Sequence, residues 1–209
     1  MDPTSGYVNY RNRSDAQKLG LIATQGSEVY IGVDHATKAT AAKGRSSVRI
    51  ESKAQYNGGL FIAKFTHLPK PVCGTWPAFW MYGPDWPNHG EIDIYENWNQ
   101  PASNAITLHT GPASKVGSCK LSQSDFTDHM TTSNCDNSAA GQYANQGCGV
   151  DETSGQWGKS NGGICKFLLY SHPPTGKPML ALLTCYLRCY RMVVRSHQRL
   201  ELVHCQGAV

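Results

Sequence analysis

Asn88-His-Gly-Glu-Ile-Asp-Ile-Tyr-Glu-Asn-Trp-Asn99 sets three carboxylates, Glu91, Asp93 and Glu96, within six residues. Their neighbours Ile92, Ile94 and Tyr95 are β-branched or aromatic, so the segment reads as a strand. Side chains alternate faces along a strand, which puts Glu91 and Asp93 on one face and Ile92 on the other. Glu96 has the wrong parity for the acidic face. One extra residue near Ile94-Tyr95, a β-bulge, restores it, and bulges are frequent beside active sites. The expectation is a kinked strand with three acids in line and its apolar residues in a core.

Distance then limits the chemistry. Five strand steps less one bulged residue span roughly 13 Å, at about 3.3 Å per residue. Two glutamates leaning together over that span bring their carboxyl groups to about 5–6 Å, the spacing of a retaining glycosidase, with the wider inverting geometry still open. Crowded like charges let one acid hold a proton near neutrality while another stays ionised. That division supplies a nucleophile and a general acid.

Trp76, Trp80, Trp86 and Trp98 lie close in sequence to the acids. An indole offers a flat apolar face to a sugar ring and an N–H to a polar partner. A lone Trp is more often core packing; clustered beside an acid triad, Trp80 and Trp86 read as sugar platforms. Trp76 and Trp98 stand evenly between platform and core, and remain candidates for substrate contact. Asn104-Ala-Ile-Thr-Leu-His-Thr110 reads as the adjacent strand, with Ile106 and Leu108 towards the core and Thr107 and His109 on the side of the acids. Asn104, at its start, is grouped with the substrate-contacting residues.

Further strands are expected at Val29–Val33, around Val48 and Ile50, which alternate with Arg49 and Glu51, and at Leu60–Phe65 after the Asn57-Gly58-Gly59 turn signal. Residues 111–163, rich in Ser, Gly, Asn and Asp, read as a long functional loop region on a β scaffold, closed by Asn161-Gly-Gly163 ahead of a late strand.

The 209 residues suit one domain with a sizeable core, and 16% charged residues with 21 glycines favour short strands and turns over long helices. The net charge of +4 is unevenly placed. Residues 165–209 carry Lys166, Lys177, Arg188, Arg191, Arg195 and Arg199 against Glu201, a balance of +5 that leaves −1 for residues 1–164. A near-neutral body suits an uncharged polysaccharide better than a polyanion, so nucleic acid is not an expected partner. No apolar run approaches the ~20 residues of a membrane span, and Asp2-Pro3-Thr4 after Met1 is not a signal peptide.

Eight cysteines without a C-x-x-C pair argue against a zinc ribbon. They are compatible with disulfides, and Cys135 to Cys148 would close a short loop. Asn12-Arg13-Ser14 is a glycosylation sequon, a weak pointer to secretion. A hard-cation site on Glu91, Asp93 and Glu96 is disfavoured because the run lacks the Asp/Asn/Gly loop chemistry of calcium sites. Neither a metal nor a cofactor is expected.

Glu91-Ile-Asp-Ile-Tyr-Glu96 resembles the E-x-D-x-x-E signature of glycoside hydrolase family 16, and in particular its fungal endo-β-1,3(4)-glucanases, the laminarinase-like members. The likeness takes in Asp2-Pro-Thr-Ser-Gly-Tyr-Val-Asn-Tyr10, Gly44-Arg-Ser-Ser-Val-Arg-Ile50 and Tyr56-Asn-Gly-Gly-Leu-Phe61. It continues through Cys73-Gly-Thr-Trp-Pro-Ala-Phe-Trp80, Thr107-Leu-His-Thr110 and Ser133-Asn-Cys-Asp136, and so spans about residues 2–163. The resemblance implies an all-β, concanavalin A-like jelly-roll sandwich of two curved antiparallel sheets. It implies Glu91 as nucleophile, Glu96 as acid/base, Asp93 tuning Glu91, and His109 as partner of the acid/base carboxylate. It further implies endo-acting hydrolysis of β-1,3 or mixed β-1,3/1,4 glucan with retention, in an extracellular monomer bound to no membrane. The rivals are a glucan transglycosylase and an inactive glucan-binding sandwich.

The family pattern begins before Met1 and stops near residue 164. From Cys165 onward the chain turns basic, apolar and Cys-rich. The expectation is a partial catalytic domain over 1–164 and a divergent tail over 165–209 that reflects a gene-model artefact, its rival being a genuine basic amphipathic segment. The sandwich would then be incomplete at both ends, with sheet edges left open.

Overall fold

A computed structural model describes residues 6–38, 44–56, 59–70, 72–99, 103–125, 128–151, 165–171, 191–195 and 198–205. Within these, the strands in chain order begin with β1 (Val8–Tyr10), β2 (Ile22–Gln25), β3 (Glu28–Ile31), β4 (Arg45–Ser47) and β5 (Arg49–Glu51). The long β6 (Gly59–His67) follows, then β7 (Ala78–Tyr82), β8 (Glu91–Glu96), β9 (Ala105–His109), β10 (His129–Thr132) and β11 (Cys148–Asp151). The last three are β12 (Cys165–Ser171), β13 (Arg191–Arg195) and β14 (Gln198–Cys205). Two short helices, α1 (Arg13–Lys18) and α2 (Ala113–Val116), complete the regular structure with one 3₁₀ turn. Among the described residues no helix is long and apolar enough to cross a membrane.

The strands form a seven-stranded sheet in the order β10-β11-β9-β8-β7-β13-β5 and a five-stranded sheet in the order β12-β6-β14-β3-β2. All pairs within these sheets are antiparallel, whereas β1 and β4 pair parallel in a separate ribbon. Alternation explains the sandwich. Phe61, Ala63 and Phe65 on β6 are buried together with Phe79 and Met81 of β7, Ile92, Ile94 and Tyr95 of β8, and Leu108 of β9. Phe65, fully buried, meets Phe79 edge-on at 5.5 Å and Tyr95 at 6.3 Å. Burying an aromatic side chain of this size contributes about 2–3 kcal/mol, so this layer holds the site-bearing strands in register.

The tail lends backbone to both sheets. β12 lies at the edge beside β6, β13 is inserted between β7 and β5, and β14 between β6 and β3. The turn at Asn57-Gly58 and the Asn161-Gly-Gly163 segment lie outside the described residues.

Two local readings change. Ile50 does not share the core with Val48: Val48 is 3% exposed and Ile50 38%, because Ile50 sits on β5 at the edge of the larger sheet. The polar opening stretch contains α1, capped by Asn12, whose side chain accepts from the Asp15 amide at 2.9 Å. An Asn-x-x-Asp helix start was there to be read. The long loop region holds α2, β10 and β11 and is stapled by a Cys135–Cys148 disulfide, as the spacing suggested.

Candidate active site

β8 carries the acids, and its bulge lies where parity demands one. Against β7, Phe79 pairs with Tyr95 and Trp80 with Asp93, so Ile94 is extra. Against β9, Asp93 pairs with Thr107 and Glu96 with Ala105, leaving Ile94 and Tyr95 opposite a single residue. Both of those side chains join the core. Glu91, Asp93 and Glu96 are thereby freed to share the opposite face, with Glu91 and Glu96 partly exposed and Asp93 buried.

Each outer acid receives an indole N–H. Trp76 Nε1 donates to Glu96 Oε1 at 2.8 Å, and Trp86 Nε1 donates to Glu91 Oε2. Trp76 and Trp86 are 40% and 45% exposed, so each combines a wet apolar face with a hydrogen bond to a carboxylate. Trp98 is 66% exposed. Asn97 N–H donates to Pro77 O at 3.2 Å and Asn99 N–H to Thr75 O at 2.9 Å, which sets Trp98 across from Trp76 just beyond the strand ends.

Three expectations are corrected here. Trp80 is buried rather than open to a sugar: it is 7% exposed, with the Arg49 guanidinium 4.9 Å above its ring and Tyr82 packed at 5.3 Å. Asn104 is 6% exposed, and its amide is bonded to the β8 backbone, donating to Ile94 O at 3.0 Å and accepting from Glu96 N–H at 3.2 Å. His109, expected to partner Glu96, lies on Asp93 instead, with Nε2 3.1 Å from Asp93 Oδ2. The cause is register: His109 stands opposite Glu91, at the far end of the acid row from Glu96.

Other contributors carried no readable signal. Asn137 Oδ1 is 2.7 Å from His109 Nδ1 and fixes the ring from behind. Gly147 makes that approach possible: it adopts φ +66°, and a Cβ there would run into Leu108 O and the His109 ring. The Arg49–Glu51–Tyr82 group was partly legible from strand parity. Arg49 Nε donates to Glu51 Oε1 at 3.0 Å and Tyr82 Oη to Glu51 Oε2 at 3.0 Å, beside Trp80 on the β7–β5 side of the sheet.

Ligand atoms of Glu91, Asp93 and His109 lie within 4.8 Å of one another. This is a different trio from the acids alone. Within it, His109 and Asp93 are paired directly, Nε2 to Oδ2 at 3.1 Å. What the row offers chemically is two part-exposed carboxylates on one strand face, a buried carboxylate between them, and aromatic flanks: the parts list for cleaving an acetal between sugars.

Comparison with known proteins agrees. Residues 1–166 match the family described as "XgeA-like, catalytic GH16 domain". An endo-1,3(4)-β-glucanase of Arthroderma benhamiae is 46% identical over 157 residues, covering 75% of this chain and 33% of that protein. The endo-1,3(4)-β-glucanase xgeA of Emericella nidulans is 46% identical over 136 residues, covering 64% of this chain and 21% of that protein. The chain thus spans about a fifth to a third of the length of these curated relatives. Among solved structures, an elongating GH family 16 β-1,3-glucosyltransferase matches with TM-score 0.73 at 33% identity, covering 99% of this chain and 76% of that one. Laminarinase 16A from Phanerochaete chrysosporium matches with TM-score 0.73 at 28% identity, covering 99% and 78%. The fold is the concanavalin A-like jelly roll of these family 16 structures. The chain belongs to glycoside hydrolase family 16, in its XgeA-like catalytic group.

Proposed function

We propose that this chain is the catalytic portion of an endo-acting β-1,3 or β-1,3/1,4-glucan hydrolase that works with retention of configuration. The observation that carries the reading is the bulge of β8, which allows Glu91 and Glu96 to act from one face of one strand. Glu96 protonates the glycosidic oxygen while Glu91 attacks the anomeric carbon, and the shortened glucan leaves as an alcohol. Water then attacks the glycosyl-enzyme, giving its proton to Glu96 and releasing Glu91 as carboxylate. Asp93 tunes Glu91 and is itself held by His109. Trp76, Trp86 and Trp98 offer exposed aromatic faces for the sugar chain.

The names of the fungal relatives support the choice of glucan, and an extracellular, monomeric protein acting on wall or storage polysaccharide is the setting proposed with it. We assign catalysis to residues 1–164 and treat 165–209 as a divergent tail. The test is Glu91→Gln: release of reducing sugar from laminarin falls by about 10³-fold or more while laminarin binding persists. Unchanged turnover in that variant overturns the assignment.

Transglycosylation is the second reading, favoured by the likeness to a β-1,3-glucosyltransferase at 33% identity. In that case a sugar hydroxyl replaces water in the second step. Products longer than the starting oligosaccharide, increasing with added acceptor, distinguish it from hydrolysis.

A further inference from the structure

A bulge must be held in place. An extra residue interrupts the ladder of backbone hydrogen bonds, and it can settle at more than one position along a strand. Because the side-chain period is two, moving the bulge past Glu96 turns that carboxylate to the buried side. Something has to decide that the extra residue is Ile94.

Asn104 is placed to decide it. It precedes β9 and lies where that strand runs out against the bulge. Its Nδ2 donates to Ile94 O at 3.0 Å and its Oδ1 accepts from Glu96 N–H at 3.2 Å. A primary amide carries a donor and an acceptor on one planar head, as a peptide unit does, so this side chain stands in for a rung of the ladder. It is 6% exposed, away from the water that could otherwise satisfy those groups.

We propose that Asn104 is a positioning residue for general acid catalysis, clasping the bulge so that Glu96 keeps the cleft face. This rests on the reading of Glu96 as acid/base. It touches no substrate; it acts on the leaving group through the backbone of Glu96. Its partners bracket the kink, one on the extra residue and one on the acid itself.

The proposal is tested by leaving-group dependence. A glucan alcohol needs a proton to depart, whereas 2,4-dinitrophenolate does not. Full-length wild type, Asn104→Ala and Asn104→Asp are assayed on laminari-oligosaccharides and on 2,4-dinitrophenyl β-laminaribioside. The expected result for Asn104→Ala is a loss of about a hundredfold in kcat/KM on the oligosaccharide, with kcat/KM on the dinitrophenyl substrate close to wild type, because that ratio reports the first step, before Glu96 acts as base. Asn104→Asp keeps an acceptor for Glu96 N–H and loses the donor to Ile94 O, so it falls between the two. It also carries the test should the alanine variant fail to fold. An equal loss on both substrates, or no loss on either, overturns the proposal. Wild-type protein that cleaves neither substrate overturns the hydrolase reading itself and the proposal with it.

Discussion

Asp93 and His109 meet on a diagonal: their strand partners are Thr107 and Glu91, yet Nε2 of His109 lies 3.1 Å from Oδ2 of Asp93. Asn137 holds the other ring nitrogen at 2.7 Å. A buried carboxylate between two part-exposed acids is thereby fixed by a ring from the next strand. Replacing His109 by Phe keeps the ring but removes both nitrogens. Losing a hydrogen bond to a buried group costs about 1–3 kcal/mol, so the melting temperature should fall by several degrees and kcat with it. Thermal denaturation alongside laminarin turnover checks this; a variant with unchanged stability and rate contradicts it.

Trp76 gives Glu96 both an aromatic face and a hydrogen bond. Trp76→Phe separates the two, since Phe keeps the face alone. A hydrogen bond to a charged group is worth about 1.5–3 kcal/mol, so kcat should fall roughly ten- to a hundredfold while KM changes little. An unchanged kcat in that variant would show that the hydrogen bond to Glu96 plays no part in turnover.

The Asp136 carboxyl is held below the usual carboxylate range, chiefly by the backbone and side-chain hydrogen bonds from Ser138 and then by the Ala113 amide at the start of α2. A depressed folded-state pKa gives stability that is present above the ordinary Asp pKa and is lost as pH falls through the lowered one. Asp136→Asn should therefore be less stable than wild type near neutrality, and the difference should shrink on acidification below about pH 4. Urea midpoints measured across that range decide it; a difference independent of pH contradicts it.

The Cys135–Cys148 disulfide spans 13 residues and ties the Asn137 loop to β11, which pairs with β9. A loop of that size restricts the unfolded chain enough to contribute about 3 kcal/mol. Cys135→Ala with Cys148→Ala should lower the unfolding free energy by that order. It should also weaken activity, because the loop that steadies His109 loses its anchor. Equal stability with and without the pair, measured by urea denaturation, contradicts it.

Much of the site was legible because one strand carries it. The parity of Glu91, Asp93 and Glu96 required a bulge, and the apolar character of Ile94 and Tyr95 said where the extra residue had to go. The side of β9 that bears Thr107 and His109 followed from the same alternation. What alternation does not encode is which neighbour reaches whom diagonally, and so His109 is found on Asp93 rather than Glu96. Depth is equally invisible: Trp80 reads as a platform until Arg49 is seen above it. Side-chain bonds to backbone such as those of Asn104 have no period and appear only in three dimensions. The places taken by β13 and β14 inside the sheets could not be read from a tail whose pattern had left the family's.

The most direct test of the account is the configuration of the first product. Proton NMR of laminari-oligosaccharide cleavage, recorded before mutarotation, should show the β anomer of the new reducing end appearing first, as a double displacement through Glu91 requires. An α anomer appearing first would mean a single displacement by water, and Glu91 would not be the nucleophile.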